Sequence, residues 1–149
     1  MKKILLLCSM LLVITLSLVG CGSKDKESAE GEKKYNYYTA DQLKEAIESK
    51  KDITLVDIQV KEDYDKHHIE GTIPTYAYPA EKDEEKAKID TVLPKLEENN
   101  NPIIVVCPGG GSGAKNTINY LESKGIKSDR MFILEKGQKG WPYKELLEK

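Results

Sequence analysis

Cysteine is scarce in this sequence: Cys8, Cys21 and Cys107 are the only three in 149 residues. Three scattered thiols argue against a disulfide-stapled scaffold and leave no cysteine pair at metal-ligand spacing. Histidine is scarcer still, confined to His67 and His68. Neighbouring side chains in a turn diverge, and no cysteine or second histidine pair completes a coordination set, so no metal is expected. A basic cluster is also missing. The formal charge is −2, and nothing in that balance supports nucleic acid as a partner. Acidic residues are plentiful but show no spacing that singles out a catalytic pair. No internal repeat is present, and the residues call for no cofactor.

The N-terminus is of a different kind. Met1-Lys2-Lys3 is followed by an almost unbroken apolar run from Ile4 to Val19. That run is short for a membrane span and ends in small residues, as a signal-peptide core does. Leu18-Val19-Gly20-Cys21 resembles the lipobox of bacterial lipoprotein precursors. The resemblance implies cleavage before Cys21, lipid on its sulfur, and a protein held to the cell membrane on its extracytoplasmic face. Two or three acyl chains make such attachment durable, at about 0.8 kcal/mol per buried methylene. Residues 1–20 are then the signal, and loss of Lys2 and Lys3 takes the formal charge from −2 to −4.

Residues 21–34 hold the lipidated cysteine and a stretch of Gly, Ser, Asp, Glu and Lys with one Ala and no large apolar side chain. Such a stretch has nothing to bury against the entropy of ordering, so a disordered tether is expected. Residues 35–149 suit one domain with one core. Within it Cys107 is the only thiol left, because Cys8 departs with the signal and Cys21 carries lipid. An unpaired thiol outside the cytoplasm is open to oxidation, and its presence calls for a reason.

Along the domain, Tyr35–Tyr38 predicts a short strand, and Thr39 to Gln42 forms a capping box for a helix burying Leu43, Ala46 and Ile47. Ile53–Ile58 is a β-branched run of strand length. Tyr64–Gly71 predicts a short helix and turn, and Thr72–Tyr78 another strand. The charge run Glu81–Lys88 continues through Ile89, Val92, Leu93 and Leu96 as an amphipathic helix, which Pro94 should kink or restart. Ile103–Val106 predicts a strand buried on both faces, followed by a glycine loop and a helix over Ala114–Lys124 that stops at Gly125. Met131–Leu134 predicts a last strand, then a turn at Gly137 and a short C-terminal helix. Strands alternating with helices indicate an α/β fold with a mostly parallel sheet covered on both faces. In such sheets ligands bind beyond the carboxyl ends of the strands, and Cys107 stands at one of those ends.

The loop is Cys107-Pro108-Gly109-Gly110-Gly111-Ser112-Gly113. Glycines permit positive φ, so several N–H groups can turn toward one point, and the helix start adds partial positive charge. A thiolate, a persulfide or a bound oxyanion is stabilised there. The plainer alternative is a buried cysteine acting as a small hydrophobe before an ordinary turn. A phosphate-binding P-loop fits less well. Lys115 lies between Ala114 and Asn116, so the Gly-Lys-Ser/Thr ending is missing.

Three stretches together resemble a single rhodanese domain over roughly Tyr37–Tyr143. Leu55-Val56-Asp57-Ile58-Gln59, then His67-His68-Ile69-Glu70-Gly71-Thr72-Ile73, is similar to the family's Asp-x-Arg and Gly-His-Ile-x-Gly-Ala. Ile104-Val105-Val106-Cys107 with its glycines is similar to the active-site strand and loop. Phe132–Gly137 with Trp141 is similar to the closing Gly-Gly…Trp segment. The resemblance implies a rhodanese-like fold and a sulfurtransferase. In that chemistry Cys107 takes sulfane sulfur from a small donor as a persulfide and passes it to a thiol or cyanide.

The departures shape the alternatives. Gln59 stands where the family often has Arg, and Lys136 where the first closing Gly would be. Ser112 and Gly113 occupy the place of the loop arginine common in many members, and the loop is one residue longer than the common form. Related phosphatases and arsenate reductases rely on that arginine as an oxyanion clamp, so a phosphatase is a poor fit. Lys115 offers charge in part but is no bidentate clamp. A non-catalytic module that binds an anion or a partner protein through the loop is the main competitor. A thiol redox protein would need an external resolving thiol.

Overall fold

The computed structural model describes residues 32–149. The expected signal at 1–20, the lipid attachment residue Cys21 and the tether up to residue 31 lie outside the described residues. The elements, in chain order, are Asn36–Tyr38 (β1), Ala40–Glu48 (α1), Thr54–Asp57 (β2), Lys61–Lys66 (α2), His68–Ile69 (β3) and Thr72–Pro74 (β4). Then follow Asp83–Ile89 (α3), Leu93–Glu97 (α4), Ile103–Val106 (β5), Ser112–Ser123 (α5), Met131–Leu134 (β6) and Leu147–Glu148 (β7).

Five strands make one sheet in the order β1-β6-β5-β2-β4, and every pairing in it is parallel. The central strand β5 is buried at all four residues. Ile103 and Val105 face a layer with Ile89, Leu96, Ile118 and Leu121 from α3, α4 and α5. Ile104 and Val106 face Leu43 of α1, Leu134 and Trp141. Alternate residues of one strand thus feed two cores, each fully buried aliphatic contributing about 1.5–3 kcal/mol. The chain has the expected α/β architecture, with helices on both faces of a parallel sheet.

Local chemistry accounts for the helix ends. The Thr39 hydroxyl accepts from the Gln42 N–H at 3.1 Å, while the Gln42 side chain accepts from the Thr39 N–H at 2.9 Å. Pro94 sits in the first turn of α4, where its missing N–H costs nothing, so the amphipathic run restarts there after a 3-10 turn at Asp90–Val92. Gly125, at φ 93°, follows α5 and its Lys124 cap. Among the described residues, no helix is long and apolar enough to cross a membrane.

Two expectations need correction. The strand expected over Thr72–Tyr78 stops at Pro74, because Tyr76 takes a left-handed φ of 58° that no ladder accommodates. The expected C-terminal helix is a single 3-10 turn at Lys144–Leu146, followed by β7, which pairs antiparallel with β3.

Candidate functional site

Parallel register brings the chemistry to one end of the sheet. Asp57 ends β2 beside Val106, and Cys107 follows immediately on β5. The Cys107 side chain lies in the same cluster as Ile58, Ala77 and Ala114, only 1% exposed. Its Sγ accepts the Gly110 N–H at 3.1 Å. Gly110 makes that contact from φ 70°, curling the loop back over the sulfur. The N-cap of α5 is Gly111, so no capping side chain takes the first-turn N–H groups. These groups, together with the helix dipole, favour negative charge beside the loop. On its outer side the loop is open: side chains built at Gly109 or Gly111 would meet nothing within 4 Å.

A second segment braces the loop from behind. The Gln138 N–H donates to the Cys107 carbonyl at 2.8 Å, and the Lys139 N–H to the Pro108 carbonyl at 3.0 Å. Gly137 must be glycine for this approach. A Cβ there would stand 2.1 Å from the Cys107 carbonyl oxygen and 2.6 Å from the Gly110 nitrogen. The neighbouring Lys136 adopts φ 62° without being glycine. The turn at Gly137 is legible in the sequence, but its role as the back wall of the thiol loop is not, because it depends on contacts with Cys107 and Gly110.

The remaining loop residues have distinct surroundings. Ser112 is exposed, whereas Gly113 is buried against the Tyr78 ring and Ile58. The Lys115 ammonium lies 5.4 Å from the centroid of the Tyr35 ring. Pro108 is half-buried, with its carbonyl tied to the closing segment as described.

Asp57 is fully buried, and its carboxyl is pushed up to about 6. Burial is the principal cause. Hydrogen bonds from the Gln59 backbone and side chain, and the charge of His68, act in the opposite direction. A neutral amide at position 59 gives the carboxylate hydrogen bonds but no charge of its own to offset burial. His68 is buried, with its ring stacked on Tyr64 at 3.8 Å and its Nδ1 3.0 Å from the Tyr64 carbonyl. Since a carbonyl can only accept, that nitrogen carries the proton. His67 is exposed. Among the described residues, no three His, Cys, Asp or Glu side chains are grouped to hold a metal ion.

Comparison with known proteins agrees with the fold. A rhodanese-like domain protein from Staphylococcus aureus is 27% identical, with a TM-score of 0.51 over 74% of this chain and 95% of that one. A thiosulfate sulfurtransferase from Pseudomonas aeruginosa is 19% identical, with a TM-score of 0.57 over 76% of this chain but 20% of that one. An As–Sb reductase from Leishmania major is 17% identical, with a TM-score of 0.55 over 76% of this chain and 85% of that one. No curated protein matches the chain. The model of the rhodanese-like domain matches residues 39–143, from the cap of α1 past the closing segment, and so includes the whole thiol loop. This chain belongs to the rhodanese-like family.

Proposed function

We propose that this protein is an extracytoplasmic sulfurtransferase, anchored to the membrane by lipid on Cys21, that carries sulfane sulfur as a persulfide on Cys107. The observation that carries the reading is the Gly110 N–H directed at Cys107 Sγ at 3.1 Å, in a loop at the carboxyl end of the central parallel strand. Family membership and the open outer side of the loop support it.

The transfer is balanced without an external oxidant or reductant. The Cys107 thiolate attacks the outer sulfur of a persulfide donor, a new S–S bond forms, and the donor's S–S bond breaks. The bonding pair leaves on the donor sulfur, which takes up the proton as a thiol. With thiosulfate the leaving group is sulfite. An acceptor thiolate or cyanide then attacks the terminal sulfur of the Cys107 persulfide and restores the Cys107 thiolate. Backbone N–H groups stabilise the anionic sulfur, each charge-assisted bond contributing about 1.5–3 kcal/mol. Because the loop has no arginine to clamp a dianion, a less charged persulfide is the preferred donor and thiosulfate a poor one.

The test is the intact mass of the soluble domain after exposure to thiosulfate or a low-molecular-weight persulfide, with and without cyanide. Wild type should gain one sulfur atom and lose it to cyanide, and Cys107→Ser should gain none while remaining folded. Equal behaviour of wild type and Cys107→Ser with every donor would overturn the proposal. A binding module, favoured by the depth of Cys107 and the loop without arginine, would then replace it.

A further inference from the structure

The segment after β4 has no part in the sulfur chemistry described so far, yet it is fixed against the mouth of the thiol loop. The Tyr78 N–H donates to the Ile58 carbonyl at 2.7 Å, and the Ala80 N–H to the Ala77 carbonyl at 2.7 Å. The Asn116 side-chain amide donates to the Pro79 carbonyl at 3.2 Å, tying the segment to α5. Ala77 and Ala80 on either side are fully buried, whereas Tyr78 remains 37% exposed. A large part-exposed aromatic on a segment tied to the domain at two points and closed by its own turn is a wall rather than a flap.

That wall stands over Gly113. A Cβ built on Gly113 would lie 2.9 Å from two carbons of the Tyr78 ring and 3.3 Å from Ile58 Cδ1. The ring therefore rests on the bare backbone of the first turn of α5. It takes up the space that any side chain at position 113, cationic or otherwise, would need. The surface on this side of the loop carries the part-exposed Tyr78 ring with its phenol, lying beside the buried Ile58. Such a face attracts an apolar or aromatic group and gives nothing to a compact, strongly hydrated dianion.

We infer that Tyr78 is a specificity-determining residue, selecting organic persulfides whose carbon skeleton packs on its ring over inorganic sulfane donors. This rests on the sulfurtransferase reading of Cys107 and names its donor class. The donor's outer sulfur is directed to Cys107 while its organic portion lies on the ring. The S–S exchange is that given above, with the organic thiol as leaving group.

The experiment compares single-turnover sulfur loading of the domain by benzyl persulfide and by thiosulfate, followed by intact mass, in wild type, Tyr78→Ala and Tyr78→Phe. Wild type should load faster from benzyl persulfide. Tyr78→Ala should lower the benzyl persulfide to thiosulfate selectivity about fivefold, as expected for loss of one aromatic packing contact, and Tyr78→Phe should restore it. An unchanged selectivity in Tyr78→Ala, or wild-type loading that favours thiosulfate, would overturn the inference while leaving the sulfurtransferase intact. If Tyr78→Ala misfolds, Tyr78→Phe and Tyr78→Leu carry the comparison, and equal selectivity in those two would overturn it. No loading of wild type by either donor would overturn both proposals.

Discussion

Gln59 holds Asp57 by two hydrogen bonds, its backbone N–H to Oδ1 at 2.8 Å and its side-chain amide to Oδ2 at 3.0 Å. Both residues are buried, and the carboxyl lies at about 6 instead of its usual 3.8. The folded state therefore binds the Asp57 proton more tightly than the unfolded chain does. The associated stability is fully present below about pH 4 and is lost as pH rises through about 6. Chemical denaturation of wild type against Asp57→Asn should show it. Relative to the variant, wild type should lose about 2–3 kcal/mol between about pH 4 and pH 7.5. A relative gain over that range would mean that the amide pair outweighs burial.

Gly137→Ala tests the back wall of the loop. Gly137 combines φ 56° with ψ −158°, a region that side chains essentially avoid, and its new methyl would collide with the Cys107 carbonyl. The expected cost is more than about 3 kcal/mol in urea denaturation, because backbone on both sides must move. Alkylation of Cys107 should change in rate in whatever fraction remains folded. A variant as stable as wild type would show that the closing segment is not packed on the loop.

Ser112→Arg tests the missing clamp. Position 112 is exposed at the first turn of α5, so an arginine fits there without the collision that awaits one at Gly113. Thiosulfate loading of Cys107 should rise by about tenfold, the equivalent of one charge-assisted hydrogen bond. Loading from a neutral persulfide should change little. A rise for both donors alike would indicate a general change at the thiol instead of recognition of the dianion.

Cys21→Ala tests the anchor. In a bacterial host the wild-type chain should fractionate with membranes and show the mass of a cleaved, acylated N-terminus. The variant should be released or remain unprocessed. Identical size and location of the two proteins would refute the lipid attachment.

Features set by neighbouring residues were legible in the sequence. The Thr39–Gln42 box, the restart at Pro94 and the doubly buried run Ile103–Val106 each depend on local capping or periodicity, and each is found in place. The thiol at the end of β5 was legible for the same reason. Features set by distant partners were not. Leu147–Glu148 is a strand only because His68–Ile69 accepts it as a neighbour. The chain after Pro74 leaves the ladder at Tyr76, whose left-handed φ of 58° turns it into a bend held by the Tyr78 N–H on the Ile58 carbonyl. Tyr78 gave no signal, since its importance lies in a contact with Gly113 that no spacing encodes.

Because all strands of the main sheet are parallel, the sheet has two unlike poles. Asn36 begins β1 level with Ile104, so the incoming chain joins the sheet about 10 Å below Cys107 at ~3.3 Å per residue. Just before it, Lys33 and Tyr35 are bonded to Asn119, well along α5 from the end that closes the loop. The start of β1 and the thiol thus lie toward opposite ends of the main sheet. A bulky acceptor, even another protein's thiol, can approach Cys107 without passing the edge strand at which the chain enters the sheet.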